Sequence, residues 1–259
     1  MATLALCVPL AHAADSVLWV GDSRTYIGNL PEVYRALVKA VDRRDIRADM
    51  LVETGGDLDD RVRSQALARE LKKQRFDVVV LQERGNLASC MLDKSVRNDA
   101  GCKASAAAFA NLARIARAHG ARVYVMGTHQ ESPMDNRIVN RAEAITSVRI
   151  KADGHVPTGM AYLMAQQIQP GFRWVTAGDS FHPDRDLTLL MAAVTYYAIE
   201  KKWPEPVDVP LAYRAFDHSV NFGDDALGST QNTHIGMIRE VVPARHLAEI
   251  IEVGKATMK

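Results

Sequence analysis

Ser16-Val17-Leu18-Trp19-Val20-Gly21-Asp22-Ser23 decides the fold. Val17 to Val20 offer no polar residue to water on either side, which fits a strand buried on both faces of a sheet. The run stops at Gly21-Asp22-Ser23, as a buried parallel strand does at the edge of its sheet. Similar runs recur downstream. Residues 48–52 end at Glu53-Thr54-Gly55-Gly56, residues 78–81 at Gln82-Glu83-Arg84-Gly85-Asn86, and residues 123–126 at Gly127-Thr128-His129; a weaker run covers 155–158. Helical patterns lie between them at 31–41, 58–74, 105–119, 136–150 and 160–168, and a last long one at 187–203. Strands alternating with helices predict an α/β chain, a three-layer α/β/α sandwich around a central parallel sheet of about five strands. In such a sheet ligands bind at the edge where the strands end, so function is sought where the apolar runs stop.

Composition agrees with one compact α/β unit and excludes several function classes. The 259 residues are 47% apolar and 24% charged, in the globular range. Thirty-two basic residues against 31 acidic ones give a net charge of +1, so no global field favours a nucleic acid, and no local basic patch stands out. No stretch approaches the roughly 18 to 20 apolar residues of a membrane-spanning helix.

Residues 1–14 read as a processed leader, an apolar stretch ending in Ala11-His12-Ala13, the small-x-small pattern that a signal peptidase accepts. The basic segment that usually opens a leader is missing, since no Lys or Arg precedes Arg24; a short buried first element is the structural alternative. Export, to the periplasm or beyond, follows from the leader. Cys90 and Cys102 then remain as an even pair around a polar loop, and an even pair in an exported chain predicts a disulfide. The main domain is expected over 15–204. Beyond a Pro-rich segment, 205–259 reads as an extension packed on the same domain, with a helix near 244–253 and no second set of strand and helix repeats.

Ser23, directly after the first strand, sits on the ligand edge. A serine at a helix start is common for structural reasons alone. Asp179-Ser180-Phe181-His182-Pro183 changes the weight, because a serine hydroxyl becomes a nucleophile when an imidazole accepts its proton and a carboxylate orients the ring. Asp179 and His182, three residues apart, supply both partners. With Gly-Asp-Ser after strand one, glycine after strand two, an Asn-bearing loop after strand three and Asp-x-x-His-Pro before the last helix, the chain resembles the SGNH, or GDSL-like, hydrolases from about residue 19 to 203.

The resemblance implies a flavodoxin-like SGNH hydrolase fold and a serine esterase that works without a cofactor or metal. Ser23 would be the nucleophile, His182 the general base and then acid, and Asp179 the residue that orients His182. Donors must also meet the charge that builds on the carbonyl oxygen. The resemblance implies the N–H of Ser23, the N–H of Gly55 or Gly56 with Gly56 favoured, and an amide side chain after strand three. Here the chain departs from the family's Gly-x-Asn-Asp, reading Gln82-Glu83-Arg84-Gly85-Asn86-Leu87, so the third donor is Asn86 or Gln82. Glu83 would disfavour an oxyanion unless it turns away or pairs with Arg84.

Arg24, after the nucleophile, and His129, at the end of strand four, are candidates for lining the substrate pocket, although a solvated helix start and a hydrogen-bonded surface histidine are the default readings. His119, His155, His218, His234 and His246 fit no partner pattern. The expected substrate is a small or carbohydrate ester with a short acyl or O-acetyl group. Two rivals remain open: a weakly active or inactive binding protein of the cell envelope on the same fold, and a metal-dependent phosphoesterase, for which the spacings of Asp22, His129, Asp179 and His182 fit no recognisable zinc pattern.

Overall fold

The structure, a computed structural model, describes residues 13–179, 181–216, 222 and 236–258. Five parallel strands form one sheet: β1 (Ser16–Gly21), β2 (Arg47–Val52), β3 (Val78–Gln82), β4 (Arg122–Met126) and β5 (Gly154–Val156), in the order β2-β1-β3-β4-β5. Val17 is level with Ala48 and Val78, and Leu81 with Val125, so the strand ends align along one edge. The chain moves from β1 to β2 on one side and then crosses to β3 on the other. The strand order therefore reverses between β1 and β3, and ligands of open parallel sheets bind at such a switch.

The helices are α1 (Ser23–Tyr26), α2 (Leu30–Asp42), α3 (Leu58–Arg63), α4 (Ala66–Lys73), α5 (Ala100–Ala118), α6 (Pro133–Arg149), α7 (Thr158–Ile168), α8 (Arg185–Glu200) and α9 (Ala244–Thr257), with a 3₁₀ turn at Leu87–Leu92. Side chains alternate across a strand, and the two cores follow that period. Val17, Trp19, Met50, Val78, Val80 and Met126 point to the face covered by α2, α7, α8 and α9. Leu18, Val20, Leu51, Val79, Leu81, Val123 and Val125 point to the face covered by α3, α4, α5 and part of α6. The sandwich is three-layered, as the runs predict.

Two local expectations are corrected. The pattern at 58–74 is not one helix: it breaks between α3 and α4, where Gln65 takes a left-handed φ of 55°. Leu58 and Leu67 are nine residues apart, which at about 100° per residue would put them on opposite sides of a straight helix. The break lets both enter the same core, offsetting a left-handed residue that costs about 1–2 kcal/mol. The tail also holds strands that the repeat pattern did not predict. β6 (Val209–Ala215) and β7 (Gly236–Val242) pair antiparallel, with Val209, Leu211, Tyr213 and Ala215 inward and their neighbours more exposed.

This hairpin lies on α2, where the Asn29 side chain donates to the Arg214 carbonyl at 2.9 Å, and α9 packs on α7 and α8. Of the expected leader, 1–14, residues 1–12 lie outside the described residues. Ala14, within the expected leader, is buried and its carbonyl accepts from Arg44 at 3.0 Å. Cys90 and Cys102 form a disulfide that ties the 3₁₀ turn to α5. No helix among the described residues is long and apolar enough to cross a membrane.

Candidate active site

The switch between β1 and β3 carries the turn that bears Ser23. Asp22 caps α1 by accepting the Arg24 N–H at 2.9 Å, which places Ser23 at the first helical position above the sheet. Gln82, the last residue of β3, locks this turn from the adjacent strand. Its Oε1 accepts from the Asp22 N–H at 3.1 Å and from the Thr25 hydroxyl at 2.9 Å, while Nε2 donates to Asp22 Oδ1 at 3.0 Å and to the Glu83 carbonyl at 2.6 Å. A Cβ on Gly21 would overlap Gln82 Oε1, so only glycine admits this amide beneath the turn. Gln82 is 1% exposed and both its N–H groups are engaged. The expectation that it donates to an oxyanion is therefore corrected: its amide is consumed in positioning the serine.

Asp179 and His182 arrive on the loop before α8. The carboxylate of Asp179 accepts from the N–H groups of Phe181 at 2.7 Å and His182 at 3.1 Å, and its second oxygen meets His182 Nδ1. His182 Nε2 lies 3.0 Å from Ser23 Oγ, across 159 positions of sequence. Burial pushes the Asp179 carboxyl up, but the hydrogen bonds from the His182 ring and the two N–H groups outweigh it and hold the group below its ordinary value. An ionised Asp179 on Nδ1 fixes the tautomer that leaves Nε2 free to accept the serine proton.

Around this triad the other expected residues divide. The Ser23 N–H has no acceptor among the described residues, and Ser23 is partly exposed. Tyr26 binds the Thr54 hydroxyl at 2.8 Å, holding the Gly55-Gly56 turn beside α1. Gly55 is exposed at φ 63°, whereas Gly56 is buried and its N–H donates to the Glu53 carbonyl at 3.3 Å; among the described residues the Gly55 N–H, and not that of the favoured Gly56, has no acceptor. Asn86 is exposed and starts the 3₁₀ turn. Glu83 turns away from the cleft, accepting from the Leu58 and Arg84 N–H groups at 3.1 and 2.8 Å and from the Ser105 hydroxyl at 2.5 Å. Burial raises its carboxyl above the ordinary value. Arg84 instead reaches the Gly55 carbonyl at 3.2 Å.

Arg24 and His129 are both buried, not at the solvated surface. Arg24 is 8% exposed, its guanidinium 3.6 Å from Asp22 Oδ2, because the first turn of α1 aims it under the site. His129 is 1% exposed, edge-on to Tyr162, with Nε2 2.6 Å from the Phe181 carbonyl. Burial and the Arg24 charge lower its pKa to about 3, so the ring is neutral and Nε2–H donates to that carbonyl. His129 thus clamps the loop one residue before His182. His246 has a partner that the sequence hid: it meets the buried Asp186 at 2.9 Å and stacks on Phe172. His119 caps the end of α5, His155 is part-buried with its pKa lowered by desolvation to about 4, and His218 and His234 lie outside the described residues. Among the described residues, no group of three His, Cys, Asp or Glu side chains is placed to hold a metal.

Neither a protein-family model nor a curated relative matches the chain. Solved structures do match its fold. A catalytic mutant of Axe2, an acetylxylan esterase from Geobacillus stearothermophilus, aligns with TM-score 0.57 at 14% identity, covering 75% of this chain and 98% of that one. The unmutated Axe2 gives TM-score 0.53 at 14% identity with the same coverage. A DUF4886 family protein from Bacteroides uniformis gives TM-score 0.50 at 15% identity, over 72% of this chain and 83% of that one.

Proposed function

We propose that this chain, whose fold is that of the SGNH hydrolases, is an exported serine esterase that removes a short acyl group, such as acetyl, from a carbohydrate or small alcohol. The observation that carries the reading is the 3.0 Å contact between Ser23 Oγ and His182 Nε2, with Asp179 on the far ring nitrogen. Ser23 attacks the ester carbonyl while its proton passes to His182 Nε2, and Asp179 stabilises the imidazolium that forms. The negative charge on the carbonyl oxygen meets the N–H of Ser23, an N–H of the Gly55-Gly56 turn, and the Asn86 side chain. His182 then returns the proton to the leaving alcohol, giving an acyl-enzyme on Ser23. Water, deprotonated by His182, resolves it to the carboxylic acid and free serine.

Export is supported by the leader-like residues 1–14 and by the Cys90–Cys102 disulfide, which persists in an oxidising compartment. The preference for an acetylated carbohydrate draws on the likeness to an acetylxylan esterase and on the partly exposed serine. The test is turnover of p-nitrophenyl esters of two to eight acyl carbons, beside acetate release from an acetylated xylan. Turnover falling with acyl length, abolished in Ser23→Ala and unchanged by exhaustive chelation, is expected. Chelation-sensitive turnover, or full activity in Ser23→Ala, would overturn the reading.

A further inference from the structure

We infer that the cleft between the 3₁₀ turn Leu87–Leu92 and α6 is a binding subsite for the sugar chain that carries the ester, and that it selects neutral oligosaccharides. This rests on the esterase reading only for its link to turnover; binding itself does not depend on it. The cleft holds about 700 Å³ and is lined by Asn86, Leu87, Asp93, Asp135, Arg137, Ile138 and Arg141, among others. That volume is in the usual range for ligand sites and exceeds what one acetyl group fills.

Its chemistry points to a hydroxyl-rich ligand. Arg137 and Arg141 stand one helical turn apart on α6, both exposed, and among the described residues neither has an ion-pair partner. The carboxylate of Asp135 likewise accepts from no described residue. The cleft thus presents uncommitted donors and acceptors together. Sugar hydroxyls, which donate and accept, match such a mixture. The two arginines are offset by Asp93 and Asp135, so the lining has no net charge and gives no advantage to an anionic polymer. Between the charges, Leu87, Val96 and Ile138 offer apolar area, with Val96 and Ile138 37% and 39% exposed, for the C–H faces of sugar rings.

Asn86, read above as an oxyanion donor, also lines this cleft, which has a fixed wall. Asn86 lies at its edge and follows Gly85, whose carbonyl accepts from Thr128 Oγ1 at 2.6 Å and from the Gln130 side chain at 3.1 Å. Gly85 in turn stands beside the guanidinium of Arg24, the residue after Ser23. With Asn86 serving both the proposed oxyanion site and the lining of the cleft, a sugar chain on an ester held there would meet the cleft. The Cys90–Cys102 bridge holds the 3₁₀ wall to α5, so the subsite is largely formed before a ligand arrives.

Two measurements test this. Unacetylated xylohexaose, titrated calorimetrically into Ser23→Ala, is expected to bind, and the double variant Arg137→Gln/Arg141→Gln in that background to bind about tenfold more weakly, as the loss of charged hydrogen bonds implies. In the active protein the same double change should lower kcat/KM for acetylated xylohexaose about tenfold more than for p-nitrophenyl acetate, through KM. No binding of xylohexaose, an equal effect of the double change on both esters, or tighter binding of hexagalacturonate than of xylohexaose overturns the proposal. Hydrolysis of p-nitrophenyl acetate without oligosaccharide binding removes the subsite and leaves the esterase; binding without any Ser23-dependent hydrolysis does the reverse.

Discussion

Replacing Gln82 by methionine keeps the length of the side chain and removes four buried hydrogen bonds at once. Two of the orphaned groups have remedies: the Thr25 hydroxyl can rotate, and Asp22 Oδ1 keeps the Arg24 N–H at 2.9 Å. The Asp22 N–H and the Glu83 carbonyl have none. At about 1–3 kcal/mol for each unsatisfied buried group, the fold should lose about 2–6 kcal/mol, read as a lower urea midpoint. Catalysis should suffer through geometry. Gln82 fixes the residue before the serine, and a displacement near 1 Å costs on the order of 10²-fold. kcat for p-nitrophenyl acetate should fall about ten- to a hundredfold with KM nearly constant, because the lost interaction aligns the attack and does not touch the ester. Gln82→Glu is the sharper companion: it keeps an acceptor for the Asp22 N–H and sets a second carboxylate against Asp22 Oδ1. Unfolding midpoint and kcat both unchanged in Gln82→Met would refute the positioning argument.

His129→Phe fills the buried site but loses the donor to the Phe181 carbonyl; about a tenfold fall in kcat is expected with little change in KM, checked by steady-state kinetics. Cys90→Ser with Cys102→Ser frees a loop of 12 residues' separation and should cost about 3 kcal/mol in the chain-entropy model, measured by urea unfolding against the oxidised protein. Glu143 is buried, and the loss of hydration raises its pKa from 4.5 to about 8. Between those values the folded chain holds a proton that the unfolded chain has released, so this group's contribution to stability falls as pH rises through the window. Glu143→Gln should therefore raise Tm most at pH 8, by a few kcal/mol of stability, and little at pH 5; a uniform shift across pH would contradict the sign.

The sheet was legible because Val17 to Val20 and the runs at 78–81 and 123–126 are buried on both faces, leaving apolar stretches that no half-exposed strand would carry. The Asp179–His182 contact was legible because the two lie within three positions, whereas Ser23 as their partner, 159 positions from His182, rested on the resemblance to the SGNH hydrolases. The hairpin β6–β7 was missed although Val209, Leu211, Tyr213 and Ala215 alternate inward; that period of two was a signal, masked by Pro210 within the strand. The break at Gln65 carries no glycine or proline and is set by where Leu58 and Leu67 must go. Gln82 and His129 were read as facing the ligand because both end strands on the right edge. Sequence gives the edge but not the direction of the side chain. Each turns inward to satisfy a backbone group: the Asp22 N–H for Gln82, the Phe181 carbonyl for His129. The Asp186–His246 contact joins residues 60 positions apart, beyond the reach of any spacing rule.

The proposed chemistry stands or falls on Ser23 being an activated nucleophile. Intact-protein mass spectrometry after brief exposure to a fluorophosphonate, with peptide mapping, tests it most directly. One stoichiometric adduct on Ser23 is expected, formed at least a hundredfold more slowly in His182→Ala, in keeping with the roughly 10²–10⁴-fold worth of a positioned general base. Labelling elsewhere, or none in a protein that still turns over esters, would contradict it.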